Sequence, residues 1–268
     1  MIKDITIGQY IPGDSFVHKL DPRTKILISL LFIIDLFIID KIFGYAFVVA
    51  FIGLTVIVSG LSIKYLYKGV KGVFILILIT AVLNLFMVPG TASTLVFKWK
   101  FISIYKEGIN TAVFMAFRLI LLIIGTSILT LTTSPIELTD GIERLLNPFK
   151  KIGLPAHELA MMMTIALRFI PTLMDETDKI MKAQKARGAD FESGGLVKKA
   201  KSLIPLLVPL FISSFRRADE LAMAMEARCY RGGEGRTRMK QLKFSYRDAI
   251  AYVAFALLVA VSIYVRIL

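Results

Sequence analysis

Two histidines and a single cysteine are spread through 268 residues, and acidic residues are outnumbered by basic ones, 20 to 33. A lone Cys229 forms no disulfide within the chain, and two histidines with one cysteine cannot complete an ordinary zinc site. His157-Glu158 opens like the H-E-x-x-H of a zinc protease, but position 161 is Met and the other histidine is His18. The P-loop pattern G-x-x-x-x-G-K-[S/T] is missing, so the chain does not hold ATP that way. The run Gly232-Gly233-Glu234-Gly235 has no Lys-Ser/Thr after it and reads as a flexible turn. The aspartate-rich pair that a prenyltransferase-like enzyme uses to hold magnesium and diphosphate is also missing. Residues 1–25 carry charges throughout and lack an apolar core, so no cleavable signal peptide is expected. These gaps leave catalysis, metal and cofactor without support, and the expectation is a protein that is not itself an enzyme.

What is abundant is apolar. Hydrophobic residues make up 56% of the chain and the mean hydropathy is +0.70, against roughly 45–50% in soluble domains. The excess is clustered. The first run, Ile26 to Ile39, is short for a span and contains Asp35. The second, Ile42 to Leu61, is divided from it only by Asp40-Lys41, which predicts a tight helical hairpin. The third runs from about Gly69 to Val88, contains Asn84 and stops at Pro89-Gly90. The alternation in Leu95-Val96-Phe97-Lys98-Trp99-Lys100-Phe101 predicts a short strand or an interfacial loop. The fourth run is Ile109 to Leu131 and contains Arg118; the last is Ala249 to Ile267. The fold class expected is all-α, a polytopic membrane protein with about five spans and an additional domain of two or three long helices. Its parts are residues 1–25, a four-span region 26–131, a helical segment 132–248 and a final span 249–268.

The net charge of +13 suits cytoplasmic loops of a membrane protein. Nucleic acid is excluded as a partner, because no recognition motif accompanies the charge. Lys3, Lys19, Arg23 and Lys25 precede the first span, and Lys64, Lys68 and Lys71 follow the second. Residues 179–247 hold sixteen Lys and Arg against six Asp and Glu. The N-terminus and residues 132–248 are therefore expected to face the cytoplasm, and with five spans the C-terminus lies outside.

Residues 132–248 read as three helical stretches. Ser134-Pro135 supplies a cap and a first-turn proline for one that stops at Asn147-Pro148. A second runs from about Ala156 to Arg187 with apolar residues at helical spacing, a kink expected at Pro171, and Asp175–Lys179 and Asp178–Lys182 placed for ion pairs. The third runs from about Val197 to Tyr230, bent by Pro205 and Pro209, and its Leu203–Phe215 part could re-enter the membrane.

Three groups of residues stand out. Ala186-Arg187-Gly188 and Ala227-Arg228-Cys229 lie 41 residues apart, each closing a long amphipathic helix. An arginine there either compensates the helix dipole or enters a groove on a partner and donates hydrogen bonds to carboxylates and carbonyls. Met162, Met163, Met174, Met223 and Met225, with Met161 and Met181, either fill a core or offer an adaptable docking surface. Arg118 must find a partner within the bundle, for which Asp35 and Asn84 are the candidates.

The N-terminal motifs Gly8-Gln9-Tyr10, Pro12-Gly13-Asp14-Ser15 and His18-Lys19-Leu20-Asp21-Pro22-Arg23-Thr24-Lys25 resemble the start of the energy-coupling factor transporter T component, EcfT, in the wider CbiQ-like superfamily. Leu167-Arg168-Phe169-Ile170-Pro171-Thr172-Leu173 with Ala183-Gln184-Lys185-Ala186-Arg187-Gly188 is similar to that family's first coupling motif. Ala224-Met225-Glu226-Ala227-Arg228-Cys229-Tyr230 is similar to its second, with Cys229 where the pattern most often has Gly. The resemblance covers essentially the whole chain and is nearer the shared-module type than the single-substrate cobalt or biotin type. It implies a prokaryotic cell-membrane complex in which Arg187 and Arg228 dock into two ABC-type ATPases, A and A′. The other faces of the two helices, with the methionines, would cradle a substrate-binding S component for a vitamin or other micronutrient. A stand-alone secondary transporter or channel is the alternative, and it would need ionisable residues along a path and repeated spans.

Overall fold

The computed structural model describes residues 10–88, 95–99, 102–191, 195–232 and 241–267. The chain divides into two compact units, one of Gly8–Gly141 with Leu242–Leu268 and one of Ile142–Gln241.

The first unit is built from apolar helices. Helix α1 (Pro22–Ile38) starts where Asp21 caps it by accepting from the Arg23 N–H, with proline at the position whose missing N–H costs nothing. Ile39 to Lys41 turn the chain into α2 (Ile42–Ser59), which ends at Gly60 in the left-handed region, φ 66°. Helix α3 (Ile63–Met87) begins about six residues before the apolar run does. Lysine is a good helix former, so Lys64 and Lys68 extend the helix past the edge of its hydrophobic stretch. Strands β1 (Leu95–Trp99) and β2 (Ile102–Tyr105) pair antiparallel, Trp99 opposite Ile102, in the region of predicted alternation. Helices α4 (Lys106–Thr132) and α9 (Tyr246–Ile267) complete the unit.

Helix α3 lies along α4, while α1 and α2 both pack on α4 and α9. Their shared core holds Phe32, Leu36, Val48, Ile52, Leu121, Ile128, Phe255 and Leu258. Small residues set the closest approaches, as membrane helix packing requires. A Cβ on Gly125 would stand 2.5 Å from Phe32, and one on Gly108 would stand 2.9 Å from the Leu85 carbonyl oxygen. Leu30, Ile34, Phe37, Phe74, Ile75 and Leu257 remain exposed, which suits a lipid environment rather than water.

Among the described residues four helices, α2, α3, α4 and α9, are long and apolar enough to cross a membrane. Where the sequence suggested five spans, α1 falls short: its 17 residues reach about 25 Å against a hydrocarbon core of about 30 Å. Asp35 on α1 is nevertheless almost fully covered, at 1% exposed, because α1 is packed against α4 and α9.

The N-terminal segment ties the ends of this unit together. Ile11 N–H donates to the Leu131 carbonyl at 2.9 Å, and Lys25 Nζ donates to the carbonyls of His18 (3.0 Å) and Thr132 (2.9 Å). Asp21 N–H donates to Asp248 Oδ1 at 2.9 Å, and the other oxygen of Asp248 accepts from Ser245 N–H at 2.7 Å. That last contact is half of a capping box at the start of α9. Arg23 pairs with Asp21 and lies 3.9 Å over the Phe244 ring.

The chain enters the second unit through α5 (Pro135–Leu146), where Ser134 Oγ accepts from Glu137 N–H as its cap residue should. A 3-10 segment (Asn147–Ile152) closes at Gly153, φ 91°. His157 Nδ1 meets Glu143 Oε1 at 3.0 Å, so that histidine belongs to a local polar contact. Helix α6 (Ala156–Ala186) is a single helix of 31 residues, about 46 Å long, and it runs unbroken through Pro171. The predicted third stretch is two helices, α7 (Leu196–Ser202) and α8 (Ile204–Ala227). They part at Leu203 because Pro205 lacks an N–H and is best accommodated in a first turn, whereas Pro209 is carried inside α8. Leu203, Leu207, Val208, Phe211 and Phe215 are exposed, and α8 is not among the helices apolar and long enough to cross.

Candidate functional site

Both arginine motifs end their helices in the same way. Arg187 is the C-cap residue that follows α6 and Arg228 the C-cap that follows α8, with near-identical backbone angles (φ −87°, ψ 6° and φ −92°, ψ 13°). The residues that follow, Gly188 (φ 86°) and Cys229 (φ 56°), are both left-handed. Gly188 N–H donates to Lys185 O and Ala189 N–H to Gln184 O; Cys229 N–H donates to Glu226 O and Tyr230 N–H to Met225 O. Each is the double hydrogen bond of a Schellman cap. The three-residue match in the sequence is therefore a match of geometry, with Cys229 in the place glycine fills better. Ala186, Arg187, Gly188, Ala227, Arg228 and Cys229 are all exposed. Neither guanidinium has an ion-pair partner among the described residues.

Helices α6 and α8 pass in opposite directions. Phe169 faces Arg217 at 5.8 Å, Glu176 meets both Ser213 and Arg217, and Gln184 Nε2 donates to Pro205 O at 3.4 Å. Rising numbers on α6 thus meet falling numbers on α8. Arg187 and Arg228 sit at opposite ends of the pair. Glu176 to Arg187 and Arg217 to Arg228 are each 11 residues, so each arginine lies about 16 Å from the crossing. The Arg217 Nη2 to Glu176 Oε2 distance is 3.1 Å, with side chains 33% and 23% exposed. The predicted Asp175–Lys179 and Asp178–Lys182 pairs do not close. The charge on this face is spent across the helices instead. Spacing within one helix could not reveal the Glu176–Arg217 contact, but the two equal 11-residue offsets from the arginine motifs could have.

Of the methionines, Met162, Met163 and Met223 are exposed and Met174 and Met225 half-buried. With Phe211, Ile212 and Phe215 they leave the paired helices with a large uncovered apolar surface.

The intramembrane residues do not pair as expected. Arg118 Nε donates to Tyr45 Oη (3.2 Å) and Nη2 to the Ile39 carbonyl (3.1 Å), and its guanidinium stands 5.1 Å over the Phe37 ring. Asp35 instead accepts from Ser262 Oγ at 3.2 Å, and Asn84 donates to Thr80 O one turn back. The open carbonyl at the end of α1 offers Arg118 an acceptor without the desolvation that a buried ion pair would cost. A cavity of about 360 Å³ in the first unit is lined by Phe32, Phe51, Ile52, Leu54, Val58 and Leu129; its one charged lining residue, Lys25, is already committed to two carbonyls.

The family model described as "CbiQ: Cobalt transport protein" matches residues 13–239. A protein of Clostridium kluyveri called energy-coupling factor transporter transmembrane protein EcfT is 70% identical over 267 residues, covering 100% of this chain and 98% of the relative. Proteins of the same name from Thermosediminibacter oceani and Bacillus subtilis are 61% identical over 265 residues and 46% identical over 266. The first alignment covers 99% of both chains, the second 99% of this chain and 100% of the relative.

Proposed function

The chain belongs to the EcfT family, the transmembrane components of energy-coupling factor transporters, and on that premise we propose that it couples two cytosolic ABC-type ATPases to an exchangeable, membrane-embedded S component. Arg187 would seat in one ATPase and Arg228 in the other. Hydrolysis belongs to the ATPases; this chain turns their closure into a displacement of α6 and α8, and through them of the S component that carries a vitamin or another micronutrient. The N-terminus and the paired helices face the cytoplasm of a prokaryotic cell, where the ATPases are.

One observation carries this reading: two exposed arginines, without an ion-pair partner among the described residues, close two antiparallel helices with the same cap, each 11 residues from the Glu176–Arg217 contact. A guanidinium freed of internal partners can give its whole fork of donors to a groove on another protein. Dipole compensation alone would not require the matching caps or the equal reach. The uncovered apolar surface with Met162, Met163 and Met223 supports the docking of several different S components in turn, because methionine adapts to varied shapes.

The test is co-expression with candidate ATPases and an S component, followed by uptake in vesicles. Wild-type protein should co-purify with both ATPases and import substrate on ATP hydrolysis. Arg187→Glu with Arg228→Glu should abolish assembly or uncouple hydrolysis from uptake. Full coupling in that double variant would overturn the assignment.

A further inference from the structure

Glu176 and Arg217 lie away from both arginine tips, near the middle of the antiparallel pair, each 11 residues before the arginine that ends its own helix. Glu176 Oε2 receives Arg217 Nη2 at 3.1 Å while Oε1 accepts from Ser213 Oγ, so one carboxylate holds two residues of α8 one turn apart. Arg217 is further fixed by the ring of Phe169, two turns before Glu176 on α6. Three directional contacts at one crossing define both where α8 meets α6 and how it is rotated. Within α6, Asp175 and Asp178 make no pair with Lys179 and Lys182.

We propose that Glu176 and Arg217 are the positioning pair of the coupling mechanism, a polar bolt that sets Arg187 and Arg228 at equal reach and makes the two helices move as one body. This rests on the coupling role proposed above. Were the crossing free to slide by one helical turn, the separation between the two tips would lengthen or shorten by about 5 Å. Closure of two ATPases would then be absorbed at the crossing instead of reaching the S component. The bolt converts two docking events into one motion.

The experiment uses the full chain assembled with both ATPases and an S component in vesicles. Glu176→Arg and Arg217→Glu should each lower uptake per ATP hydrolysed several-fold while both ATPases still co-purify. Combining the two reverses the polarity of the pair and should restore most of the loss. Wild-type uptake per ATP in the single variants, or no recovery in the combined one, would overturn the proposal. Should the charge reversals fail to assemble, Glu176→Gln is read by spin labels at Ala186→Cys and Ala227→Cys in a Cys229→Gly background. The parent should give one narrow separation of about 30 Å, since each label lies ten residues from the Glu176–Arg217 contact along its helix, and Glu176→Gln should broaden or shift it. An unchanged distribution would equally overturn the bolt. The distance measurement needs no transport, so absence of ATP-driven uptake by wild-type protein would count against the coupling role and leave the pair to be judged by its separation.

Discussion

Removing the Asp248 carboxylate tests whether the N-terminal segment clamps the ends of the membrane unit. Asp248 is 2% exposed and its two oxygens serve two backbone donors, Asp21 N–H at 2.9 Å and Ser245 N–H at 2.7 Å. Asp21 is itself buried, so in Asp248→Ala its N–H is stranded away from water, a loss of about 1–3 kcal/mol. Ser245 is half-buried and water can replace its partner in part, which leaves a capping loss of about 1 kcal/mol. Together these amount to about 3 kcal/mol, or a melting temperature lower by about 6–12 °C. Asp248→Asn keeps one acceptor and should lose about half as much. The assay is thermal unfolding of the purified full chain followed by circular dichroism. A melting temperature for Asp248→Ala within about 2 °C of wild type would refute the reasoning, because the segment would then contribute nothing by holding α9.

Further outcomes follow from the same geometry. Cys229→Gly should stabilise the chain by about 1 kcal/mol, since glycine takes the left-handed angle without a Cβ penalty, and Cys229→Val should destabilise it; thermal melts decide both. Arg118→Ala and Asp35→Ala should each reduce stability, and their effects should add within about 0.5 kcal/mol, because the two side chains have separate partners; strong coupling in the double variant would contradict that. Gly108→Ala should lower stability by about 1–3 kcal/mol, because the new methyl meets a rigid backbone carbonyl at 2.9 Å, and the melt of that variant checks it.

The helices were legible because their signals are local. Apolar runs located α2, α4 and α9, and Ser134-Pro135 announced α5 through a cap and a first-turn proline. The arginine motifs were legible as words but not as geometry. Cys229 in place of glycine hid a cap that the structure shows to match that of Gly188. What escaped the sequence depends on which helices meet. Arg118 found Tyr45 and the Ile39 carbonyl, a backbone group no side-chain inventory offers. Glu176 was passed over because i,i+4 spacing favoured Asp175 and Asp178, whereas only the antiparallel crossing brings Arg217 to it. The break at Leu203 needed a choice between two prolines, and the one in a first turn won. The shortness of α1 was visible in its 17 residues; its placement between α4 and α9 was not.

The coupling role turns on where the two arginine-capped helix ends are seated. A photo-crosslinking side chain placed at Ala186 or at Ala227, both exposed and one residue before the arginines, should join this chain to an ATPase subunit from each position in the assembled transporter. Crosslinks that reach only lipid or the S component, or none to an ATPase from either position, would contradict it.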